Sequence, residues 1–118
     1  MTTLLLTHPS SLLHDVGEGH PERPDRIRAI ERALEAEKFQ ALARDLAPKA
    51  TAEQITRVHP AAYLEALLEA SPQSGFIQLD ADTTMMAHTM DAALHAVGGA
   101  VRAVDEVMQA LLARKDMA

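Results

Sequence analysis

The chain has 118 residues, enough for one small domain and too few for two with separate cores. Its 47% hydrophobic and 24% charged residues lie in the ordinary globular range, and a formal charge of −6 opposes the counterion release that drives nucleic-acid binding. The absence of cysteine excludes disulfides, thiolate metal sites and cysteine nucleophiles, while 3% aromatic residues imply a helix-rich core of Ala, Leu, Val and Met. Met1–Leu6 is apolar but far too short to span a membrane, and it lacks the basic start and small-residue exit of a signal peptide. The expectation is a cytoplasmic protein with neither a nucleic-acid nor a membrane partner.

In chain order, the apolar run Thr3–Thr7 reads as a buried strand, ended by His8-Pro9 and two serines. Leu13 to Pro24 carries Gly17, Gly19, Pro21 and Pro24, which makes it a loop. From Asp25 to about Lys38, Ile27, Ile30 and Leu34 fall at helical spacing, with Arg26, Arg28, Glu31, Arg32 and Glu35 turned outward. Leu42–Ala47 is a weaker strand, and the strand, helix, strand order predicts a parallel pairing. Thr51 and Gln54 match a capping box that opens a helix. His59-Pro60 interrupts it, and a second helix runs through Tyr63, Leu64, Leu67 and Leu68 to Ser71-Pro72. Ser71–Gly75 is a loop, and Phe76–Asp82 is extended or irregular.

From Thr89, read as an N-cap, apolar residues at Leu94, Val97, Val101, Val104, Met108 and Leu111 define one long amphipathic helix. A second stripe of small residues, Ala92, Ala96, Gly99 and Ala103, lets another backbone approach closely. More than half of this helix is therefore apolar or small, wider than the stripe a surface helix needs. A homo-oligomer through the segment from Ala92 to Leu111 is the expected way of covering it.

Several residues could carry chemistry, each with a plainer reading beside it. His14, Asp15 and His20 could converge on a metal or a proton, or they could hydrogen-bond the backbone of a loop shaped by Gly and Pro. Asp80 and Asp82 could grip a hard cation or act as paired carboxylates, or they could cap the Thr83-Thr84 segment. His59 beside Tyr63 fits a packed, hydrogen-bonded corner better than a catalytic one. His88 and His95 fit surface or packing positions, and Met85, Met86, Met90 and Met108 fit core filling. No nucleophile elbow, phosphate-binding glycine loop or zinc-protease helix motif is present.

The segment His14-Asp-Val-Gly-Glu-Gly-His-Pro-Glu-Arg-Pro-Asp-Arg-Ile-Arg-Ala-Ile30 resembles the N-terminal signature of the histone deacetylase, acetoin-utilisation and acetylpolyamine amidohydrolase superfamily. Three further stretches follow in the family's order: Val58-His-Pro-Ala-Ala-Tyr63-Leu, Leu79-Asp-Ala-Asp-Thr83, and Asp91-Ala-Ala-Leu-His-Ala-Val-Gly-Gly-Ala100 leading into Val104-Asp-Glu-Val-Met108. The resemblance spans His14 to Met108 and is similar to the bacterial, class-II-like branch. It implies an α/β fold with short parallel strands and several helices, the whole chain being one partial domain.

The resemblance also implies an activity, the hydrolysis of N-acetyl amides of lysine or polyamines at a single zinc. The family's Arg-Pro-Pro-Gly-His-His motif, its metal-binding Asp-x-His pair, its second ligand Asp and its tyrosine do not occur in these 118 residues. The expectation is therefore a piece of a longer deacetylase-like protein, holding no zinc and inactive alone. The alternative is a naturally short, non-catalytic module that oligomerises. By resemblance, Arg23 lines an internal channel below the metal, His20, Pro21 and Glu22 belong to the active-site rim, and Asp80 or Asp82 corresponds to a rim aspartate that holds the substrate backbone.

Overall fold

A computed structural model describes residues 2–117, with side chains through Arg114. Strand β1 (Leu4–Thr7) pairs in parallel with β2 (Ala43–Leu46), with Leu4 opposite Ala43 and Leu6 opposite Asp45. This is the predicted parallel unit, and the α/β reading holds. Between the strands lie a 3-10 turn at Pro9–Leu12, built from the proline and serines that end β1, and helix α1 (Pro24–Ala33). The His8 ring folds over that turn, its Nδ1 accepting from the Ser10 amide at 3.1 Å and lying 2.8 Å from the Ser10 hydroxyl, and Ser10 is buried.

Helix α1 ends five residues earlier than expected. Ala36 is extended, and Glu37–Phe39 form a separate 3-10 turn. The cause is local: the Arg44 guanidinium donates to the Leu34 carbonyl at 2.6 Å and to that of Phe39 at 3.4 Å, while Gln40 Nε2 donates to the Glu35 carbonyl. Side chains thus satisfy carbonyls that a longer helix would have bonded itself. Ile30 is half exposed rather than core, and Glu31 is half-buried rather than turned outward, because the apolar side of α1 borders an open hollow.

Helix α2 (Ala52–Thr56) opens with both bonds of the capping box, Gln54 N–H to Thr51 Oγ1 at 3.2 Å and Thr51 N–H to Gln54 Oε1 at 3.0 Å. Pro60 caps helix α3 (Ala61–Ala70), its carbonyl accepting from the Tyr63 and Leu64 amides. Ile77–Asp80 (β3) and Thr83–Met85 (β4) form an antiparallel hairpin where the sequence predicted only extended or irregular chain. Four residues supply its turn: Asp80 Oδ1 accepts from the Asp82 amide at 2.8 Å, an Asx turn of the kind Asp favours.

Helix α4 (Thr89–Met117) is the long helix foreseen from its repeat. A Cβ on Gly98 would fall on the Pro48 carbonyl oxygen and within 2.9 Å of the Ala50 nitrogen, so only glycine admits the strand-to-helix connection there. The backbone that approaches α4 is thus this chain's own, at Gly98 rather than along the stripe of Ala92, Ala96, Gly99 and Ala103. That stripe instead floors an open hollow of about 450 Å³ beneath β1 and α1. Arg102 ties α4 to β2, donating to Asp45 Oδ2 at 2.7 Å and to the Leu46 carbonyl at 3.0 Å. Among the described residues the buried hydrophobic side chains are few: Ala47, Ala50, Leu64 and, most deeply, Met85. Met85 fills the core as expected, whereas Met108 is half exposed. Among the described residues, no helix is long and apolar enough to cross a membrane.

Candidate functional site

The loop after the 3-10 turn and the β3–β4 hairpin face each other across an open hollow of about 760 Å³. Val16, Gly19, His20 and Pro21 form one wall, and Phe76, Gln78, Asp82 and Thr84 the other. Gly17 and Gly19 have φ of 103° and 82°, the left-handed region that glycine enters without strain, and these two positions let the loop curl around its own backbone. Asp15 Oδ1 accepts from the Gly17 amide at 3.1 Å, and His20 Nδ1 accepts from the Glu22 amide at 3.0 Å. His14 turns away from both, its Nδ1 lying 2.8 Å from Thr89 Oγ1 at the start of α4. Asp15 and His20 therefore take the plainer role, bonding the loop backbone, whereas His14 departs from it by bonding a side chain of α4.

Of the six residues that the resemblance assigns to a rim or channel, the structure brings His20, Pro21 and Asp82 around this hollow. Asp80 is set apart, its carboxyl accepting from the Asp82 amide and from Thr83, bonds that hold it below the ordinary aspartate range. Among the described residues, no hydrogen bond reaches the Asp82 carboxylate, which stays exposed at the hairpin turn. Glu22 faces the other way, paired with Arg26 through both carboxylate oxygens at 2.9 and 3.0 Å. Arg23, the exposed residue preceding α1, lines a neighbouring groove of about 490 Å³ with Asp15, Glu18, Asp25 and Arg28. Glu18 and Gly19 border both spaces.

Sequence reasoning missed the hairpin side of the hollow and the bonding of Thr89. Phe76, Gln78 and Thr84 enter the hollow only because the hairpin folds back, and the one signal for it was Asp-Ala-Asp-Thr between two β-prone stretches. Thr89 is the first helical residue rather than an N-cap, and its hydroxyl accepts from the Met86 amide at 2.9 Å. His95 stacks on His8 with ring centroids 3.5 Å apart and planes 12° from parallel, so its packing role is specific. His59 departs from the expected buried corner: it is exposed, its ring 5.3 Å from that of Tyr63.

Among the described residues, no three His, Asp or Glu side chains gather as a metal site would need. The zinc implied by the resemblance does not fit the donors in this stretch.

The model of the histone deacetylase domain matches residues 20–117, most of the chain and all of the second half of this site. The chain belongs to the histone deacetylase family. Over 111 residues it is 34% identical to a probable deacetylase of Archaeoglobus fulgidus, a match that covers 92% of this chain and 30% of that protein. Its fold resembles the crystal structure of the HDA15 HD domain with a TM-score of 0.72 and 26% identity, over 82% of this chain and 29% of that one. This deacetylase-family chain thus spans about a third of the length of the relatives it matches.

Proposed function

We propose that the chain supplies one wall of the substrate path in a zinc-dependent N-acetyl amide hydrolase, and that the chemistry itself needs groups outside these 118 residues. What carries this reading is the coincidence of the family match with the hollow between the loop and the hairpin. An exposed carboxylate that accepts no hydrogen bond among the described residues, Asp82, stands on its edge and can accept N–H groups from an extended acetylated peptide or polyamine. Asp80 is unsuited to that task because the hairpin turn already occupies its oxygens. This choice assigns the rim aspartate to Asp82. Arg23, in the adjoining groove, is suited by its planar guanidinium to orient acetate or water leaving a reaction centre.

Zinc in such an enzyme supplies the Lewis acid that activates water, and no step of that kind is assigned to residues of this chain. The direct test is metal analysis and a fluorogenic acetyl-lysine assay on the 118-residue protein. We expect neither stoichiometric zinc nor chelator-sensitive turnover. One equivalent of zinc with turnover would overturn the reading and return His14, Asp15 and His20 to candidacy.

A second reading, a self-associating module, draws on a different observation. Every residue from Ala103 to Arg114 is exposed, yet Val104, Val107, Met108, Leu111 and Leu112 form a continuous apolar stripe, each between 49% and 62% exposed. A bare helix of this length is marginal in water. With on the order of 100 Å² available per side chain, two copies packed stripe to stripe bury on the order of 1,000 Å², about the floor for a specific interface. The occupant assigned here is a second copy of the chain, in keeping with the closed two-fold symmetry most soluble homo-oligomers adopt.

A further inference from the structure

The loop carrying His20 and Pro21 and the hairpin carrying Asp82 sit on opposite sides of the hollow, and among the described residues one hydrogen bond crosses between their bases: His14 Nδ1 to Thr89 Oγ1, 2.8 Å. Every other hydrogen bond of the 14–23 loop stays within the loop or runs into the first turn of α1. The Thr89 hydroxyl is the junction. It accepts from the Met86 amide at 2.9 Å, and Met86 directly follows β4, whose Met85 is the most deeply buried side chain of the core. A hydroxyl has one proton to give. It also has two lone pairs, so the Thr89 oxygen holds the Met86 N–H and the His14 ring at the same time, the tautomer of His14 setting which of the two gives the proton in their shared bond. The chain of bonds His14, Thr89, Met86 thus runs from the root of one wall to the root of the other.

We propose that His14 and Thr89 are positioning residues for the rim: their hydrogen bond sets the distance between the loop wall and the hairpin wall. The proposal rests on the reading of the hollow as part of a substrate path. Two features make the loop dependent on this bond. Gly17 and Gly19 give its backbone more freedom than any other residues would, and two open spaces, the hollow and a second of about 390 Å³ lined by Asp15, Gly17, Phe76 and Met86, separate it from the hairpin on either side. Close packing does not fix the walls, so the one directional contact at their base does.

The test begins on the 118-residue chain, with amide chemical shifts and hydrogen exchange at Gly17, Gly19 and Ala81–Thr84. Thr89→Val keeps the shape of the side chain and removes the hydroxyl; His14→Ala removes the other partner. We expect each to raise exchange and move resonances on both walls alike, the double variant to add nothing further, and Thr89→Ser to restore the original values. If Thr89→Val disturbs only Met86 and the first turn of α4, or if the two changes add, the walls are not coupled and the proposal is overturned. In a deacetylase domain completed around this segment, Thr89→Val should raise KM for an acetyl-lysine peptide several-fold with kcat and bound zinc unchanged. An unaltered KM beside loosened walls would reduce the pair to a structural role. Absence of hydrolysis in every completed domain would instead sink the substrate-path reading, and the wall-coupling result on the short chain would stand apart from it.

Discussion

The two halves of α4 carry the same apolar repeat and meet different fates. From Thr89 to Arg102 the helix is held at several points: Thr89 by the loop, Leu94 through its carbonyl bond from Ala50, His95 by the His8 ring, Gly98 by the Pro48 backbone and Arg102 by Asp45. From Ala103 to Arg114 nothing covers it among the described residues. The difference shows that an apolar period specifies helix and face but says nothing of the partner. The partner was written elsewhere, in a glycine that admits a backbone and in an arginine that reaches a strand.

The largest break in this comparison should come at Gly98. Gly98→Ala drives a methyl into the Pro48 carbonyl, and we expect a loss of about 3 kcal/mol in urea unfolding, because backbone cannot yield as a flexible side chain can. Gly99→Ala is its control: a Cβ there would meet the Ala47 Cβ at 3.0 Å, which a small shift relieves, and about 1 kcal/mol or less is expected. Equal losses at the two positions would show that α4 is not seated on residues 47–50 as described.

The bare half is probed by Val107→Lys or Val104→Lys. Sedimentation equilibrium should move from dimer towards monomer with little change in unfolding of the packed half, since the substituted positions touch no core. A wild-type chain that is already a monodisperse monomer at tens of micromolar would rule out the self-association reading.

Smaller effects belong to the ion pair that marks the boundary. Arg102→Met should release the α4 end of β2 and raise amide exchange at Leu46, with a modest loss of stability because the pair is exposed. Acid should act on the same contact. The hydrogen bond and charge of Arg102 hold the Asp45 carboxyl below the ordinary aspartate range, as the turn amide holds Asp80. A depressed carboxyl stabilises the fold above its unfolded value and loses that contribution as pH falls through the lower folded value. Stability should therefore decline below about pH 4, and Asp45→Asn should flatten part of that decline.

The legible parts of the fold were those governed by neighbours in sequence. The Thr51–Gln54 capping box, the glycine and proline loop, the β1–β2 pairing and the long helix all follow from local pattern, and the structure reproduces each. Helix α1 was read too long because its end depends on Arg44, ten residues beyond the carbonyl it takes from Leu34. Ile77-Gln-Leu-Asp80 does alternate as a strand should, but its pairing was missed because the partner strand Thr83–Met85 is only three residues long and carries no alternation of its own. At the site, His20, Pro21 and Asp82 were singled out only by the family resemblance, and the structure gathers the three around one hollow. The proposed preference for Asp82 over Asp80 draws on the turn geometry, and the His14 to Thr89 bond joins residues 75 positions apart that no spacing rule connects.

The parallel pairing of β1 with β2 has a consequence for how the chain emerges during synthesis. Leu4, Leu5 and Leu6 are made before their partners Ala43, Arg44 and Asp45, which follow about 40 residues later. At roughly 5–20 residues per second, the leading strand waits on the order of 2–8 s with its ladder groups unpaired. A hairpin strand would have waited a fraction of that time. This apolar triplet therefore stays without its ladder partner for seconds, which makes it a natural place for a chaperone to hold the polypeptide while α1 forms behind it.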